Sequence, residues 1–277
     1  MKDISIVIVN YKMKEDIEKC LVSLYKDIEG LPLDIGVVVA DNHSEDGIDD
    51  LLREKFPNVE VIIQETNPGF GTSQNAGMKR SEASYYFVLN PDTVFSSDSS
   101  IIARMHSFME EYKKIGMIGP KIIYPDGSLQ YSCWRFPKHL QPLYQRTKLG
   151  KTKRGKKRVD HHHMTAFDHN ETRPVDAIMG SAMFARNEAV KDVGVFDERY
   201  WMYYEDIDWC LRMWEAGWPV YYVHDIVIIH AHGRGSAKVS GVFKAFIKNK
   251  LARVHIYSWL KFIWKWKGRV KLYTTKT

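Results

Sequence analysis

Short apolar runs, each stopping at a polar residue, alternate in the first ninety residues with stretches whose apolar positions recur every three or four. The runs at 4–9, 35–40, 59–63 and 85–89 scarcely alternate with polar residues, so they read as strands buried on both faces. Between them, Ile17, Cys20, Leu21, Leu24 and Ile28 predict a helix over 13–28 that Gly30-Leu31-Pro32 closes. Ser44 predicts an N-cap for a helix carrying Ile48, Leu51 and Leu52, and a third helix runs through Asn75, Ala76 and Met78. Strands alternating with helices of this length imply right-handed crossovers and a mostly parallel, Rossmann-like sheet flanked by helices.

The later half changes period. Residues 98–113 predict an amphipathic helix, and 116–131 a strand, a Pro-Asp-Gly turn and a second strand. Residues 146–174 offer little to bury and read as a loop. Order resumes at 175–185, followed by a helix over 186–193 and another over 205–216, with Gly217 as its C′ residue. Short strands are predicted at 218–223 and 226–229. From 242 to 273, aromatics and lysines recur at helical spacing. The expected division is one domain over 1–240 and a helical tail over 241–277.

Charge sharpens that division. The net charge of +6 conceals two acid-free basic stretches, eight Lys or Arg in 146–158 and ten in 244–277. Without those eighteen the body carries 22 basic against 34 acidic residues, so the basicity belongs to patches. In the tail, Trp259, Trp264 and Trp266 among lysines suit a helix lying at an anionic membrane surface, or one packed on the domain with its lysines reaching water. The basic run at 146–158 lacks interleaved aromatics, which disfavours nucleic acid. Cys20, Cys133 and Cys210 are widely separated, against a disulfide framework or cysteine zinc site and compatible with the cytoplasm. No uncharged apolar run is long enough to span a membrane, and no signal peptide is visible.

The chemistry gathers at strand ends. Asn10, Asp41, Asn67 and Asp92 each follow a predicted strand, and in a parallel sheet such residues share one rim. Asp41 could accept from the imide of a pyrimidine base or hold an Asx turn. Asn90-Pro91-Asp92 ends the central strand, and a carboxylate there suits a hard divalent cation. Gly69-Phe70-Gly71 has Gln74 where the dinucleotide fingerprint needs glycine, so a nicotinamide site fails; what remains is a turn able to approach a ligand closely. At 205–212, Glu205, Asp208 and Arg212 are expected to form a salt-bridged face. Asp206 would be left beside Trp209 and Cys210, where desolvation suits a general base. His230, with His232 as competitor, could ligate metal at a strand end, and Arg234 could pair with phosphate.

Together, Ser5 to Tyr11, Asp41-Asn42-His43-Ser44, Asn67-Pro68-Gly69-Phe70-Gly71 with Asn75-Ala76-Gly77, Asn90-Pro91-Asp92, Gly180-Ser181-Ala182, Val193 to Glu198, Glu205-Asp206-Ile207-Asp208 and the His230 turn resemble the family 2 glycosyltransferases. The rhamnosyltransferase-like branch, which builds bacterial surface polysaccharides, is the nearest, over roughly residues 4–236. The resemblance implies a GT-A fold and transfer of rhamnose or another hexose, with inversion, from a dTDP- or UDP-linked donor to a glycan or polyprenyl-linked acceptor. It implies donor contacts at Asn10, Asp41, Asn67, Gly69, Gly71, Asn75, Asn90 and Arg234. Asp92 and His230 would hold Mg2+ or Mn2+, Asp206 would be the base, and Gly180, Trp201 and Glu205 would face the acceptor. Asn90 departs from the Asp-x-Asp form by one charge. A lipid-linked acceptor implies work at the inner face of the cell membrane. The competing readings are a nucleotidyltransferase, which lacks its basic loop after the first strand, and a membrane-docked nucleotide-sugar-binding scaffold without turnover.

Overall fold

The computed structural model describes residues 1–96, 100–137, 141, 144, 147–231, 250–271 and 273–274. Its main sheet contains β1 (Lys2–Asn10), β2 (Ile35–Asp41), β3 (Glu60–Ile63), β4 (Ala83–Leu89), β5 (Thr93–Phe95), β6 (Met117–Ile123), β7 (Leu129–Gln130), β9 (Arg173–Pro174), β11 (Ala182–Arg186) and β12 (Val220–His230). β8 (Cys133–Trp134) and β10 (Ala177–Ile178) form a separate ribbon. The path runs β3-β2-β1-β4-β11-β6-β12-β5, with β1 to β4 mutually parallel. The chain steps outward from β1 to β3 and then returns to lay β4 on the other flank of β1. That reversal opens a crevice beyond the carboxyl ends of β1 and β4, where open α/β sheets bind ligands.

Helices α1 (Lys14–Ile28), α2 (Ile48–Lys55), α3 (Phe70–Arg80) and α4 (Ile101–Glu111) cover this half. Gly77 of α3 sits so close to β1 that an added Cβ would stand 2.2 Å from Val7 Cγ1. The start of α4 is capped from another helix: Asp27 of α1 accepts from the amides of Ile101 (2.8 Å) and Ile102 (2.9 Å). The predicted cap at Ser44 is corrected. α2 begins three residues later, behind Gly47 at φ +74°, where Asp46 accepts from the Ile48 amide, while Ser44 Oγ accepts from Lys12 N.

Two expectations fail in the later half. The run at 146–174 is not a loop throughout: a 3-10 turn (Lys148–Lys151) leads into α5 (Lys153–His163), whose N-cap Thr152 accepts from Gly155 N, and 164–172 is irregular. Lys and Arg favour helix, and the His-rich end packs against β8, burying His162. The two short strands at 218–229 are one strand, β12, with an irregularity between Val223 and Val227. α6 (Asn187–Val193), α7 (Glu205–Glu215) and the C-terminal α8 (Lys250–Lys265) complete the described helices.

The tail helix packs on the domain. Phe262 and Trp266 are buried, Ser258 Oγ donates to Met202 O (2.8 Å), and Lys265 pairs with Asp197 and Asp208. Among the described residues no helix is long and apolar enough to cross a membrane.

Candidate active site

The rim at the carboxyl ends of β1 and β2 is a hydrogen-bonded lattice. Asn10, fully buried, donates to Asp41 Oδ1 (2.8 Å) and to Asp46 (3.2 Å to Oδ2), and accepts from Met13 N. Asp41 Oδ2 accepts from Ser44 N (3.1 Å), which is the Asx turn left open by the sequence. Asn67 Oδ1 accepts from Gly69 N (3.1 Å) and from the Asn42 side chain (3.3 Å). Asp46, which the sequence reading passed over, shares this lattice from the surface side; nothing in its local pattern marks it.

The glycine turn behaves differently from expectation. Gly69 lies at φ +102°, and a Cβ there would stand 2.2 Å from Trp201 O, which also accepts from Phe70 N (2.9 Å). Trp201 Nε1 returns a bond to Asn67 O (3.0 Å). Asn75 is buried, accepts from Phe196 N (2.9 Å) and donates to Phe196 O (2.9 Å) and Glu198 (3.0 Å). Gly71 faces Phe196 and Glu205. Gly71 and Asn75 thus also serve the seam with residues 196–205, where the Asn75 side chain has its hydrogen-bond partners.

Beyond β4 the geometry suits a cation. Asp92 Oδ1 lies 3.0 Å from His230 Nε2, and Asn90 Nδ2 lies 3.3 Å from the same nitrogen. His230 is buried, and its Nδ1 lies 3.0 Å from Gln130 Oε1. An Nδ1–H donated to Gln130 turns the Nε2 lone pair toward Asp92, so two electron-rich atoms meet and need a proton or a cation between them. Among the described residues no set of three His, Cys, Asp or Glu gathers for a metal. A cation held by Asp92 and His230 would thus take its remaining ligands from phosphate and water. His232 and Arg234 lie outside the described residues. Gln130 was missed because it reaches His230 across 100 residues of chain.

Asp206 stands at the start of α7. Its Oδ2 accepts from Gly180 N (3.1 Å) and its Oδ1 from Ile207 N (2.8 Å). The next residue, Ser181, accepts through its carbonyl from Asn90 N (2.9 Å). One peptide step therefore separates the anchor of Asp206 from the anchor of the Asn90-Pro91-Asp92 turn. Burial pushes the Asp206 carboxyl above the usual carboxylate range, against the pull of the backbone amides. Glu205 is raised further, by burial first and by the Asp206 charge second.

The expected Glu205–Asp208–Arg212 face is corrected. Asp208 accepts from Arg212 (2.9 Å), Lys265 (2.9 Å) and Trp266 Nε1 (2.8 Å), whereas Glu205 is buried with its Oε2 unpartnered. Trp209 does not flank Asp206 as expected; it packs on Phe196 and donates to Gly194 O. The neighbours are Tyr203 and Tyr204, both left-handed at φ +69° and +72°, a backbone that costs of order 1–3 kcal/mol per residue. Glu205 and Asp206 open into a cleft of about 170 Å3 whose opposite wall includes Trp134, His162, His163 and His255. His162 and His163 were missed as site residues because the sequence read their helix as a loop, and His255 because helical spacing alone does not say which face of the tail meets the cleft.

Residues 5–171 match the family described as Glycosyl transferase family 2. An N-acetylglucosaminyl-diphospho-decaprenol L-rhamnosyltransferase of Mycobacterium tuberculosis is 30% identical over 251 residues, covering 83% of this chain and 77% of the relative. A dTDP-rhamnosyl transferase of Shigella flexneri is 28% identical over 213 residues, covering 74% of this chain and 63% of that one. Among solved structures, GalNAc-T7 with UDP, GalNAc and Mn2+ superposes with a TM-score of 0.58 at 16% identity, over 83% of this chain and 44% of that chain. S. aureus TarS 1–349 with UDP-GlcNAc does so at 0.56 and 16% identity, over 92% of this chain and 66% of that one. This chain thus spans less than half of the first structure and about two thirds of the second, and the likeness to both is one of fold.

Proposed function

The chain belongs to glycosyl transferase family 2, as a nucleotide-sugar glycosyltransferase like the rhamnosyltransferases of polysaccharide synthesis, and from that premise we propose an inverting, metal-dependent hexosyl transfer with Asp206 as general base. The donor would be a dTDP- or UDP-linked sugar, rhamnose first among candidates, and the acceptor a hydroxyl of a glycan or lipid-linked glycan. The observation that carries this reading is the shared anchor. Gly180 and Ser181 hold Asp206 on one side and the Asn90 turn on the other, so a base and a diphosphate site adjoin.

In such a site the acceptor oxygen attacks the anomeric carbon as the bond to the diphosphate breaks. Attack from the side of Asp206, opposite the leaving group, inverts that carbon. Asp206 takes the hydroxyl proton, and its raised basicity suits that step. Bound by Asp92 and His230, Mg2+ or Mn2+ would supply charge neutralisation for the diphosphate. Asn10 and Asp41 would act through the shape of the rim, where Asp41 remains the candidate reader of the base.

Full-length protein assayed with a panel of dTDP- and UDP-sugars is expected to hydrolyse one donor in the presence of manganese. Asp206→Asn should bind that donor as wild type does, by thermal shift, yet lose about 10²–10⁴ in transfer. Turnover near the wild-type rate would overturn the assignment of the base. A protein that binds donors and never turns them over would be the scaffold.

A further inference from the structure

Helix α5 carries Arg154, Lys157, Arg158 and His161 at intervals of three, one and three residues, which is one stripe of a helix. The stripe lines a cavity of about 540 Å3, where the Arg158 guanidinium sits 4.7 Å over the Tyr144 ring. Among the described residues, Arg154, Lys157 and Arg158 have no ion-pair partner. Asp160, the helix's sole acid, lines the neighbouring cavity, which Lys157 and His161 also border, and it is absent from the lining of this one. Three uncompensated cations within two helical turns repel one another, and a multivalent anion between them would relieve that repulsion.

What lies next door identifies the anion. His162, following the stripe, lines both this cavity and the cleft that contains Glu205 and Asp206. Its Nδ1 is buried without a hydrogen-bond partner. Burial keeps the ring neutral, with its pKa pushed down to about 3, so it partitions the two spaces without adding charge. A ligand with an anion at the α5 stripe and a hydroxyl at Asp206 would run past His162, the residue that borders both spaces.

We propose that the cavity beside α5 binds the diphosphate of a glycosyl-diphosphate acceptor whose sugar hydroxyl reaches Asp206. The inference rests on the reading of Asp206 as the general base. It assigns Arg154, Lys157 and Arg158 to substrate rather than to solvent or to a lipid bilayer.

Calorimetry of the full chain in EDTA, with inorganic pyrophosphate and orthophosphate as probes, tests it. Pyrophosphate should bind wild type and Asp92→Asn alike, and at least tenfold more weakly to Arg154→Gln/Lys157→Gln/Arg158→Gln. These side chains are exposed, so the variant's melting temperature should stay within about 2 °C of wild type and exclude misfolding as the cause. Orthophosphate should bind at least tenfold more weakly than pyrophosphate. Pyrophosphate affinity unchanged in the triple variant, lost in Asp92→Asn, or matched by orthophosphate would overturn the proposal. So would a triple variant that loses phosphatidylglycerol vesicles when pyrophosphate binds neither protein. Manganese-dependent donor hydrolysis by wild type, run in parallel, judges the enzymatic reading separately, since its failure leaves the pyrophosphate result standing.

Discussion

Glu205 has a carboxylate oxygen without a partner in the wall of the cleft, 6% of the residue exposed, beside a second carboxylate. Asp206 and Asp208 lie on its own helix, His162 and His163 face it from α5, and His255 from α8. With its pKa raised in the folded state, the group binds more protons folded than unfolded once pH exceeds the ordinary Glu value of 4.5. Its contribution to stability is therefore present at low pH and is lost as pH rises toward neutrality. Glu205→Gln should raise the melting temperature at pH 7.5 by at least about 2 °C, the shift that about 1 kcal/mol makes in a chain of this size. It should give no gain at pH 4.5, and equal gains at both values would show that burial of charge is not the cause. The strand end before Asp92 and the helix start at Asp206 were legible in the sequence because both are local events. Gln130, His162 and His163 were not, since each enters the site from a distant stretch through packing that no spacing rule encodes.

At the scale of elements, α5 shows why a polar run was misread. Lys, Arg and His supply no apolar stripe, yet Lys and Arg are helix formers, and Thr152 closes the first turn. The tail helix was legible as a helix but not in its orientation, because both of its faces carry aromatics. The inner face buries Phe262 and Trp266, whereas Tyr257, Leu260 and Trp264 are 56%, 50% and 77% exposed along one outer stripe. Lys261, Lys267 and Lys271 are exposed around it. We propose that this outer face meets an anionic bilayer, where Trp sits at headgroup level and lysines reach lipid phosphate. Burying a side chain of this kind is worth about 1.5–3 kcal/mol. Leu260→Glu/Trp264→Glu should then lower sedimentation of the full chain with phosphatidylglycerol vesicles by at least about tenfold, with little change in melting temperature. Equal sedimentation of both proteins would remove the membrane role.

At the scale of the molecule, the sheet order explains why the fold was legible in the sequence. Each strand and crossover of the first half is local, so the parallel sheet followed from runs and spacings. The unity of the chain comes from long-range bonds that only the folded state displays: Asn75 to the 196–198 segment, and Trp201 to Asn67. The expected boundary at 240/241 lies outside the described residues, but beyond it the tail completes two buried carboxylates. Asp208 receives Lys265 and Trp266, and Asp176 Oδ1 receives the amides of Tyr273 and Thr274 and the Thr274 hydroxyl. We infer that residues 1–277 form one cooperative unit. Hydrogen bonds to charged groups contribute about 1.5–3 kcal/mol each, and a buried charge stripped of partners is costlier still. A 1–240 truncation should therefore lose roughly 5 kcal/mol or more, a fall in melting temperature of about 10 °C or greater. Lys265→Met, which removes one cation from the fully buried Asp208, should reproduce part of that fall in the complete chain. A truncated protein melting within about 2 °C of the full chain would instead make the tail an appendage. Were the tail part of the fold, a truncation would perturb vesicle binding through unfolding, and the bilayer question belongs to the outer-face variant alone.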